Sequence, residues 1–504
     1  MTSAQIAIMT TIILYLCLVI FTGVMIGKRS KKSAEGFYLG GRGMGPLVTA
    51  MSAEASDMSS YLLMGIPGLA YLSGVADASW TAIGLAIGTY LNFLLVARRL
   101  RRYSVELDAI TIPSFISKRY GEKKPIIMGI ASLIILVFFV PYVASGLAAI
   151  GKLFNSLFGW NYMLSVIVGA IVIISYTSVG GFSAVATMDL IQSVIMTVAL
   201  CVIVVFGIVQ AGGMDAVLAH ASSLPGFLSF GQTYNAASGQ AEPYGLIRIV
   251  SMLAWGLGYF GMPQVLLRFM GIRSEKELKL SRRVAIVWVV ISMAAAVFIG
   301  IVGRSIVGLD YLSNSDAENI FVDAAIMFLP PVLAGFACAG VLAAAISSSD
   351  SYLLITASAV SQNLYRGIVK KDATEKQVMW CSRITLMLIT LVAMAIAWNS
   401  NSTIFGITAF ARAGFGAAFG PLMLFSLFWK RTTRAGAIAG MVAGGAMVFF
   451  WRGVLKPMGG VWGIYELLPA FLFSALVIVV VSLLTRKPST DMDSEFDRIK
   501  AGQV

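Results

Sequence analysis

Apolar segments long enough to cross a lipid bilayer recur along the whole chain, and they leave few ways for it to fold. A spanning helix needs about 20 apolar residues, and the 504-residue sequence contains thirteen such stretches. Hydrophobic residues make up 58% of the chain and charged residues 12%, whereas soluble domains are about 45–50% apolar and about 25% charged. The sequence therefore predicts one all-α, polytopic transmembrane domain over residues 1–504. The predicted spans are 6–27, 45–72, 78–97, 126–151, 161–180, 189–210, 246–271, 283–306, 331–363, 377–398, 404–428, 435–452 and 463–485.

Basic residues are distributed unevenly between the loops that connect these spans. Lys and Arg concentrate in every second loop, at 28–42, 97–124, 268–283, 366–376 and 430–434, and again in the C-terminal tail. Cytoplasmic loops carry such an excess, and one missed or extra helix would disrupt the alternation. We therefore predict thirteen spans with the N-terminus outside and the C-terminus in the cytoplasm, in the plasma (inner) membrane of a bacterium. The same bias accounts for the net charge of +13 without a nucleic-acid partner.

Residue types that catalysis or structural metals require are scarce. His220, in a loop, is the one histidine, which disfavours a Ser-His-Asp triad and His-dependent metal chemistry. The cysteines contain no CxxC pair, which disfavours a disulfide framework or a zinc site. They lie in or beside apolar segments, at Cys17, Cys201, Cys338 and Cys381. We therefore predict that the chain is not an enzyme.

Two further functional classes lack their usual sequence features. An ion channel would show repeated pore loops or charged rings, and none is visible. A membrane-embedded sensor would usually carry a soluble signalling domain, and the tail after Arg486 is too short for one. The remaining functional class is a transporter of a small molecule. We expect it to lie in the lipid bilayer and to need no obligate protein partner.

Two of the predicted spans contain residues that interrupt a membrane helix. The second carries SAEASDMSS (52–60) and MGIPG (64–68), and the seventh carries WGLGYFGMP (255–263). Freed backbone groups at this depth are tolerated only where they line a cavity or bind something, and paired interrupted helices indicate a transporter site. The two interrupted spans are the second and the seventh, so they are five spans apart. Because five is an odd number, they cross the membrane in opposite directions, which predicts two inverted five-helix repeats. The repeats are approximately 44–210 and 244–430, with peripheral helices at 6–27, 435–452 and 463–485.

A third polar cluster, SSSDS (347–351), lies late in the ninth span. A hard cation such as Na⁺ takes hydroxyl, carbonyl and carboxylate oxygens, so serines opposite a broken acidic helix predict an ion site. The alternative is that these serines bond back to their own helix. Asp350 and Ser351 could join Asp189 in a second ion site, although Asp189 could equally be an acid at a helix N-terminus.

Aromatic residues accompany the second interruption. Trp255 and Tyr259 stand four residues apart, on one helical face. Tyr142 follows Pro141 in the fourth span. Two roles are open for these side chains: packing in the protein core, or forming the wall or lid of a substrate cavity.

The combined motifs resemble the solute:sodium symporter family, and within it most of all the members that transport proline. The matching stretches are LGGRGMGP (39–46), SAEASDMSSYLLMG (52–65), WGLGYFGMP (255–263) with LLRFM (266–270), LAAAISSSDSYLL (342–354) and GAAFGPLMLFSLFW (416–429). The resemblance covers nearly the whole chain. It implies the family's thirteen-span fold with five-plus-five inverted repeats, and Na⁺-coupled import of a small organic solute, L-proline, by alternating access.

The resemblance also implies an ion site. Asp57 is expected to be the essential acid beside it, and Ser59 a neighbour that influences ion and substrate binding. Na⁺ is expected at the carbonyls of Ala55, Met58 and Ala344 and at the hydroxyls of Ser347 and Ser348.

Further positions follow from the same resemblance. Asp189 matches the family's acid on the cytoplasmic ion path, and Arg42 matches a functional arginine on the cytoplasmic side. The positions that shape the proline pocket are matched by Tyr142, Trp255, Tyr259 and Pro263.

Two residues depart from the family's pattern. Glu54 stands where the proline transporters have glycine, and Arg412 stands where they have an aromatic residue, usually tryptophan. Because an unpaired charge within the membrane is costly, we predict a Glu54–Arg412 salt bridge that acts as a gate or shapes the pocket. Alternatively, one of the two contacts a charged group on a different substrate. Another amino acid, an osmolyte or a carboxylate is then the substrate, and H⁺ is the alternative coupling ion because Glu54 and Asp350 could carry protons.

Overall fold

The computed structural model describes residues 1–29, 34–308, 310–311 and 313–502. Nearly all of them are helical, with short 3₁₀ and π-helical turns between several α-helices. Strands β1 (Gln232–Asn235) and β2 (Gln240–Pro243) form an antiparallel hairpin. The α-helices are α1 (Ser3–Arg29), α2 (Ala34–Leu39), α3 (Pro46–Asp57), α4 (Ile66–Ser73), α5 (Val75–Leu91), α6 (Arg98–Glu106), α7 (Ile112–Arg119), α8 (Ile126–Phe158), α9 (Tyr162–Gln210), α10 (Met214–Ser223), α11 (Leu246–Leu253), α12 (Pro263–Gly271), α13 (Leu278–Val307), α14 (Asn314–Ala317), α15 (Ile320–Phe328), α16 (Pro331–Ser358), α17 (Glu375–Ile396), α18 (Ile404–Phe428), α19 (Arg434–Phe450), α20 (Leu467–Leu484) and α21 (Thr490–Ala501).

Ten of the described helices are long and apolar enough to cross a membrane. The bent pair Leu246–Phe260 and Pro263–Gly271 makes an eleventh if it counts as one span. Two shorter apolar helices, Tyr61–Ser73 and Tyr162–Ser175, occupy segments that the sequence analysis predicted as full spans. The first is short because the chain leaves helical geometry just before it, and α9, which contains the second, is divided at Gly181, where φ is 63° and ψ is −179°.

The second predicted span is interrupted at Met58. α3 begins at Pro46, whose missing N–H suits the first helical position, and it ends at Asp57. Met58 has φ −80° and ψ 70°, and the helix resumes after Ser60 with the π-helical turn Tyr61–Gly65 and then α4. This interruption frees backbone carbonyls inside the bundle, where they can bind an ion.

The seventh predicted span bends by 41° between Phe260 and Pro263. Ala254–Phe260 form 3₁₀ turns, Met262 is extended, and α12 follows. Gly256 allows this path because a Cβ at that position would clash with the carbonyl oxygen of Gly84 in α5. The two backbones cross in direct contact, which small residues permit between membrane helices.

α16 lies at the centre of the bundle. Every residue from Ala337 to Ser358 is buried, and the helix packs against α1, α3, α8 and α9. A helix buried on all sides belongs to the core, so its serines and Asp350 face other helices. It continues directly into the π-helical segment Ala359–Val369, which explains why the predicted span 331–363 is too long for a simple crossing.

The connection between α9 and α11 contains strands, which the all-α prediction missed. The backbone N–H of Val75 donates to Phe227 O over 2.9 Å, and Thr233 Oγ1 donates to Ser73 O over 3.0 Å. Gly74, at φ 86°, turns the chain between α4 and α5 directly against Phe227. The hairpin region therefore covers this turn. Its strands, QTYN and QAEP, are short and polar. They lack the alternation of apolar and polar residues that would have predicted strands from the sequence.

Candidate functional site

The Na⁺ ligands implied by the family resemblance lie where α16 faces the end of α3. Ser347 Oγ donates to Ala55 O over 3.1 Å and to Ala344 O over 3.3 Å. Ser348 Oγ donates to Ala344 O over 2.8 Å. These residues and Met58, at the interruption itself, are at most 1% exposed. The fold thus collects hydroxyl and carbonyl oxygens, the ligands that suit a hard cation, in one buried cluster.

Asp57, the last residue of α3, forms an ion pair within the bundle. Its Oδ2 accepts a hydrogen bond from Arg412 Nη2, and both side chains are 0% exposed. Its Oδ1 accepts from Gln264 Nε2 over 3.3 Å. The N–H of Ser59 donates to the Asp57 carbonyl over 2.9 Å. Because a buried carboxylate needs a counter-charge, Arg412 is the residue that makes Asp57 tolerable at this depth.

Aromatic rings surround the Arg412 guanidinium. The distances from its Cζ to the ring centroids are 5.1 Å for Tyr259, 5.4 Å for Trp255 and 5.9 Å for Tyr61. Cation–π attraction acts within about 6 Å, so all three rings stabilise the charge. Gly258 makes room for the arginine, since a Cβ there would lie 2.7 Å from Arg412 Cγ.

The predicted salt bridge between Glu54 and Arg412 is wrong, because Arg412 pairs with Asp57. Glu54 Oε2 accepts from Tyr259 OH over 3.2 Å and from Thr89 Oγ1 over 3.3 Å. Glu54 Oε1 has no hydrogen-bond partner among the described residues. Glu54 and Asp57 stand three residues apart on one face of α3, so both face the same guanidinium, and the acid at the helix end forms the ion pair.

Asp189 belongs to a second buried ionic cluster, which joins α3, α9, α12 and α16. Its Oδ2 accepts from Arg268 Nη2 over 3.1 Å and from Ser52 Oγ over 2.6 Å. Arg268 Nη2 also donates to Ser351 Oγ over 2.6 Å. Asp189 lies eight residues beyond the break at Gly181. The alternative that it is an acid at a helix N-terminus is therefore wrong.

Asp350 is fully buried beside this second cluster. It lies near enough to Asp189 and Arg268 to interact with their charges. Asp189 and Ser351 contact the Arg268 guanidinium directly, whereas neither Asp350 oxygen has a hydrogen-bond partner among the described residues. The sequence analysis left these three residues open as a second ion site.

The remaining residues expected in the substrate pocket are two aromatic residues and the proline at the bend. The ring of Tyr142 lies 4.6 Å from that of Tyr352 between centroids. The ring of Trp255 stacks on Phe405 at 4.4 Å. Pro263 is the first residue of α12 and directs the helix away from the bend. Trp255 therefore packs beside both Phe405 and the Arg412 guanidinium, Tyr142 packs within a buried aromatic cluster, and Pro263 shapes the backbone at the bend.

Arg42 lies apart from both clusters and links chain segments through their carbonyls. Its Nη1 donates to Met270 O over 3.0 Å, and its Nη2 donates to Ser104 O over 3.0 Å and Ala109 O over 2.8 Å. Met270 is in the last turn of α12, where carbonyls lack helical partners and basic side chains satisfy them. Arg42 therefore holds the end of the helix that follows the second interruption.

A cavity of about 640 Å³ has Trp255 and Phe405 in its wall. Tyr244 OH donates to Asp77 Oδ1 over 2.5 Å. Burial and the Asp77 carboxylate raise the pKa of Tyr244 above its usual value, so the hydroxyl remains a donor. The charged residues of the cavity wall are Asp77, Arg248, Arg452, Lys456 and Glu466.

Several residues of the site were missed from the sequence. Arg268 and Gln264 stand four residues apart in α12, so both project from one face, and their polarity inside an apolar segment was a usable signal. Tyr61 and Thr89 gave none, because an isolated tyrosine or threonine in a membrane helix is ordinary. Thr89, in α5, reaches Glu54, and Arg412, in α18, reaches the ring of Tyr61, because these helices pack against the interrupted segments.

Comparison with known proteins places the chain in one family. The sodium:solute symporter family matches residues 37–444. Over 497 residues, covering 97% of this chain and 95% of the relative, the chain is 39% identical to sodium/proline symporter 2 of Staphylococcus saprophyticus. It is 38% identical over 497 residues, with the same coverage, to the sodium/proline symporter of Staphylococcus aureus.

Solved structures show the same fold at low sequence identity. A Na⁺-coupled sialic acid symporter in a substrate-bound outward-open state superposes with a TM-score of 0.75 at 17% identity, over 96% of this chain and 99% of that one. A nucleobase-cation-symport-1 family transporter in a closed conformation gives 0.57 at 13% identity, over 92% and 98%. The chain therefore belongs to the sodium:solute symporter family and is a membrane-spanning, sodium-coupled transporter, not an enzyme.

Proposed function

We propose that this protein imports L-proline together with Na⁺ by alternating access. The observation that carries the proposal is the oxygen cluster of Ser347, Ser348 and Ala55, formed where a broken helix meets a fully buried one. The assignment of L-proline as the substrate rests on two relatives named sodium/proline symporter, which are 38–39% identical to this chain over nearly its full length.

The proposed topology has thirteen spans with the N-terminus outside and the C-terminus in the cytoplasm, in a bacterial plasma membrane. Counting the bent pair and the two shorter apolar helices as one crossing each brings the ten continuous spans to thirteen. Residues 44–210 and 244–430 then form two inverted five-helix repeats, with interruptions in spans 2 and 7. The substrate lies between these interruptions, at the midplane, as in transporters built from such repeats.

In the proposed cycle, Na⁺ binds first and favours the outward-open form. Its ligands are the carbonyls of Ala55, Met58 and Ala344 and the hydroxyls of Ser347 and Ser348. The substrate binds beside it, the outer side closes, and the inner side opens to release both. One charge crossing 100 mV supplies about 2.3 kcal/mol, and each ligand must raise the affinity for the other by the same factor.

Other residues take supporting roles in this proposal. The ion path involves Asp57, Ser59, Asp189, Asp350 and Ser351. The substrate pocket is shaped by Tyr142, Trp255, Tyr259 and Pro263. Arg42 controls the position of α12 during the conformational change.

Uptake of radiolabelled L-proline into proteoliposomes tests the function directly. An inward Na⁺ gradient should drive accumulation, and a K⁺ gradient should not. Ser347→Ala should raise the Na⁺ concentration needed for half-maximal uptake at least about tenfold, since it removes a ligand oxygen. Ser358→Ala is the matched control, because Ser358 is buried in the same helix and only bonds back to Ile355 O. Equal uptake with and without Na⁺ would refute the proposal.

A second candidate, a different substrate or coupling ion, is supported by the charges of Glu54 and Arg412. A panel of labelled amino acids, an osmolyte and a carboxylate in the same vesicles distinguishes the substrates. Uptake that follows a pH gradient in the absence of Na⁺ would assign H⁺ coupling, with Glu54 as carrier because it has no ion pair within the described ranges.

A further inference from the structure

The Arg412 guanidinium is only partly used by the protein. Its Nη2 donates to one oxygen of Asp57, and its Nη1 donates to Trp255 O over 3.4 Å. Its Nε has no partner among the described residues. Arginine normally holds a carboxylate with two parallel hydrogen bonds, but the second oxygen of Asp57 is occupied by Gln264. Nη2 also lies 3.5 Å from Tyr61 OH, so Nε–H is the guanidinium donor that is left open to another carboxylate.

Glu54 shows the complementary pattern. Neutral hydroxyls of Tyr259 and Thr89 donate to its Oε2, and its Oε1 has no donor in the described part of the chain. The side chain is 0% exposed. A buried carboxylate oxygen without a donor costs the full desolvation of that atom. An ammonium group, which carries several donors and a positive charge, matches it.

Tyr259 brings the two open positions together. Its hydroxyl donates to Glu54, and its ring centroid lies 5.1 Å from Arg412 Cζ. The open Nε donor of the guanidinium and the open acceptor oxygen of the glutamate therefore belong to side chains that share one tyrosine as a neighbour. A donor on a cation matches the carboxylate of an α-amino acid, and an acceptor on an anion matches its ammonium group.

We infer that Arg412 and Glu54 bind the two charged ends of a zwitterionic amino acid, with Arg412 on the carboxylate and Glu54 on the ammonium. The inference rests on the proposed function and adds the residues that determine its specificity.

The charges of the site favour a neutral amino acid. Glu54, Asp57 and Arg412 together carry one net negative charge when ionised. One Na⁺ at the oxygen cluster cancels it, and a zwitterion adds none. A dicarboxylic or a basic amino acid would leave an uncompensated charge at mid-membrane depth, which is costly.

Equilibrium binding to wild-type protein tests the inference from the ligand side. L-Prolinamide lacks the carboxylate, and tetrahydrofuran-2-carboxylate is nearly isosteric with proline but lacks the ammonium. With saturating Na⁺, each should bind at least about 100-fold more weakly than L-proline, because a site built for a polar group rejects its analogue strongly. An analogue that binds as well as proline overturns the assignment of the corresponding residue.

Variants then identify the residues. Arg412→Gln should weaken L-proline binding about 100-fold and change L-prolinamide binding by less than about threefold, so that the preference for the carboxylate disappears. Glu54→Gln should remove the preference for proline over tetrahydrofuran-2-carboxylate in the same way. Arg304→Gln is the matched control, since Arg304 is also buried but lies in α13 over Tyr71. Arg412→Lys provides a variant that keeps the charge.

The outcomes separate this inference from the proposed function. If wild-type protein binds and transports L-proline but Arg412→Gln weakens proline and prolinamide equally, Arg412 only positions Asp57 and the inference fails. If wild-type protein binds no neutral amino acid in saturating Na⁺, the proposed function fails and the inference fails with it. Loss of discrimination in Arg412→Gln with normal behaviour of Arg304→Gln supports both.

Discussion

Arg412 and Asp57 form an ion pair at the centre of the helix bundle, with neither side chain exposed. Three aromatic rings pack around the guanidinium, and Gly258 leaves space for its stem. A pair of this kind is costly to break, because removing one partner leaves an uncompensated buried charge. It therefore couples the end of α3, where the proposed ion site lies, to α18 in the other proposed repeat.

Removal of the arginine should destabilise the protein through Asp57. We expect Arg412→Ala to lower the free energy of unfolding by about 3–5 kcal/mol, measured as a fall in thermal stability in detergent. The double variant Arg412→Ala/Asp57→Ala should recover most of the loss, because it removes both charges. A double variant no more stable than Arg412→Ala would show that the pair contributes little.

Neutralisation of Asp57 should separate insertion from transport. Asp57→Asn keeps the size of the side chain and an acceptor for Arg412, so the protein should still insert into the membrane. Na⁺-stimulated uptake should be lost, because the negative charge beside the ion site is gone. Uptake in proteoliposomes is the measurement, and Asp215→Asn, at an exposed position of α10, is the control. Undiminished Na⁺ stimulation in Asp57→Asn would contradict the role.

The second ionic cluster predicts which of two variants loses more stability. Arg268→Gln leaves Asp189 and Asp350 without a nearby cation, so it should cost about 3–5 kcal/mol of stability. Asp189→Asn should cost less, because Asp350 remains beside Arg268 to balance its charge. Thermal unfolding of the two variants in parallel checks the order. Equal losses would mean that Asp350 does not compensate Arg268.

Backbone contact at the second interruption should be sensitive to one methyl group. A Cβ at Gly256 would clash with Gly84 O, so Gly256→Ala should destabilise the fold by about 1–3 kcal/mol, the usual cost of overpacking. Gly453→Ala is the matched control, because a Cβ there meets nothing within 4 Å. Stability is measured by thermal unfolding. A Gly256→Ala variant as stable as the wild-type protein would show that the helices can move apart.

Much of the architecture was predictable because the bilayer imposes simple rules. The length and spacing of apolar segments indicated the helices, and Gly, Pro and Ser within two of them indicated the interruptions at Met58 and Met262. The hairpin β1–β2 and the start of the helix that carries Asp189 were not predictable. The hairpin consists of two short polar strands that pack against the turn at Gly74, and the helix of Asp189 starts after a turn at Gly181 that lies against Phe37.

The class of protein, the residue types that interrupt two of its helices and the charged residues inside its apolar segments can all be read from the sequence. How those charges pair depends on the folded structure. Glu54 and Asp57 share one face of α3, and nothing along the chain distinguishes them as partners for Arg412. The choice depends on how α18 and the 3₁₀ segment Ala254–Phe260 pack against the end of α3, because an ion pair within a membrane requires contact in space.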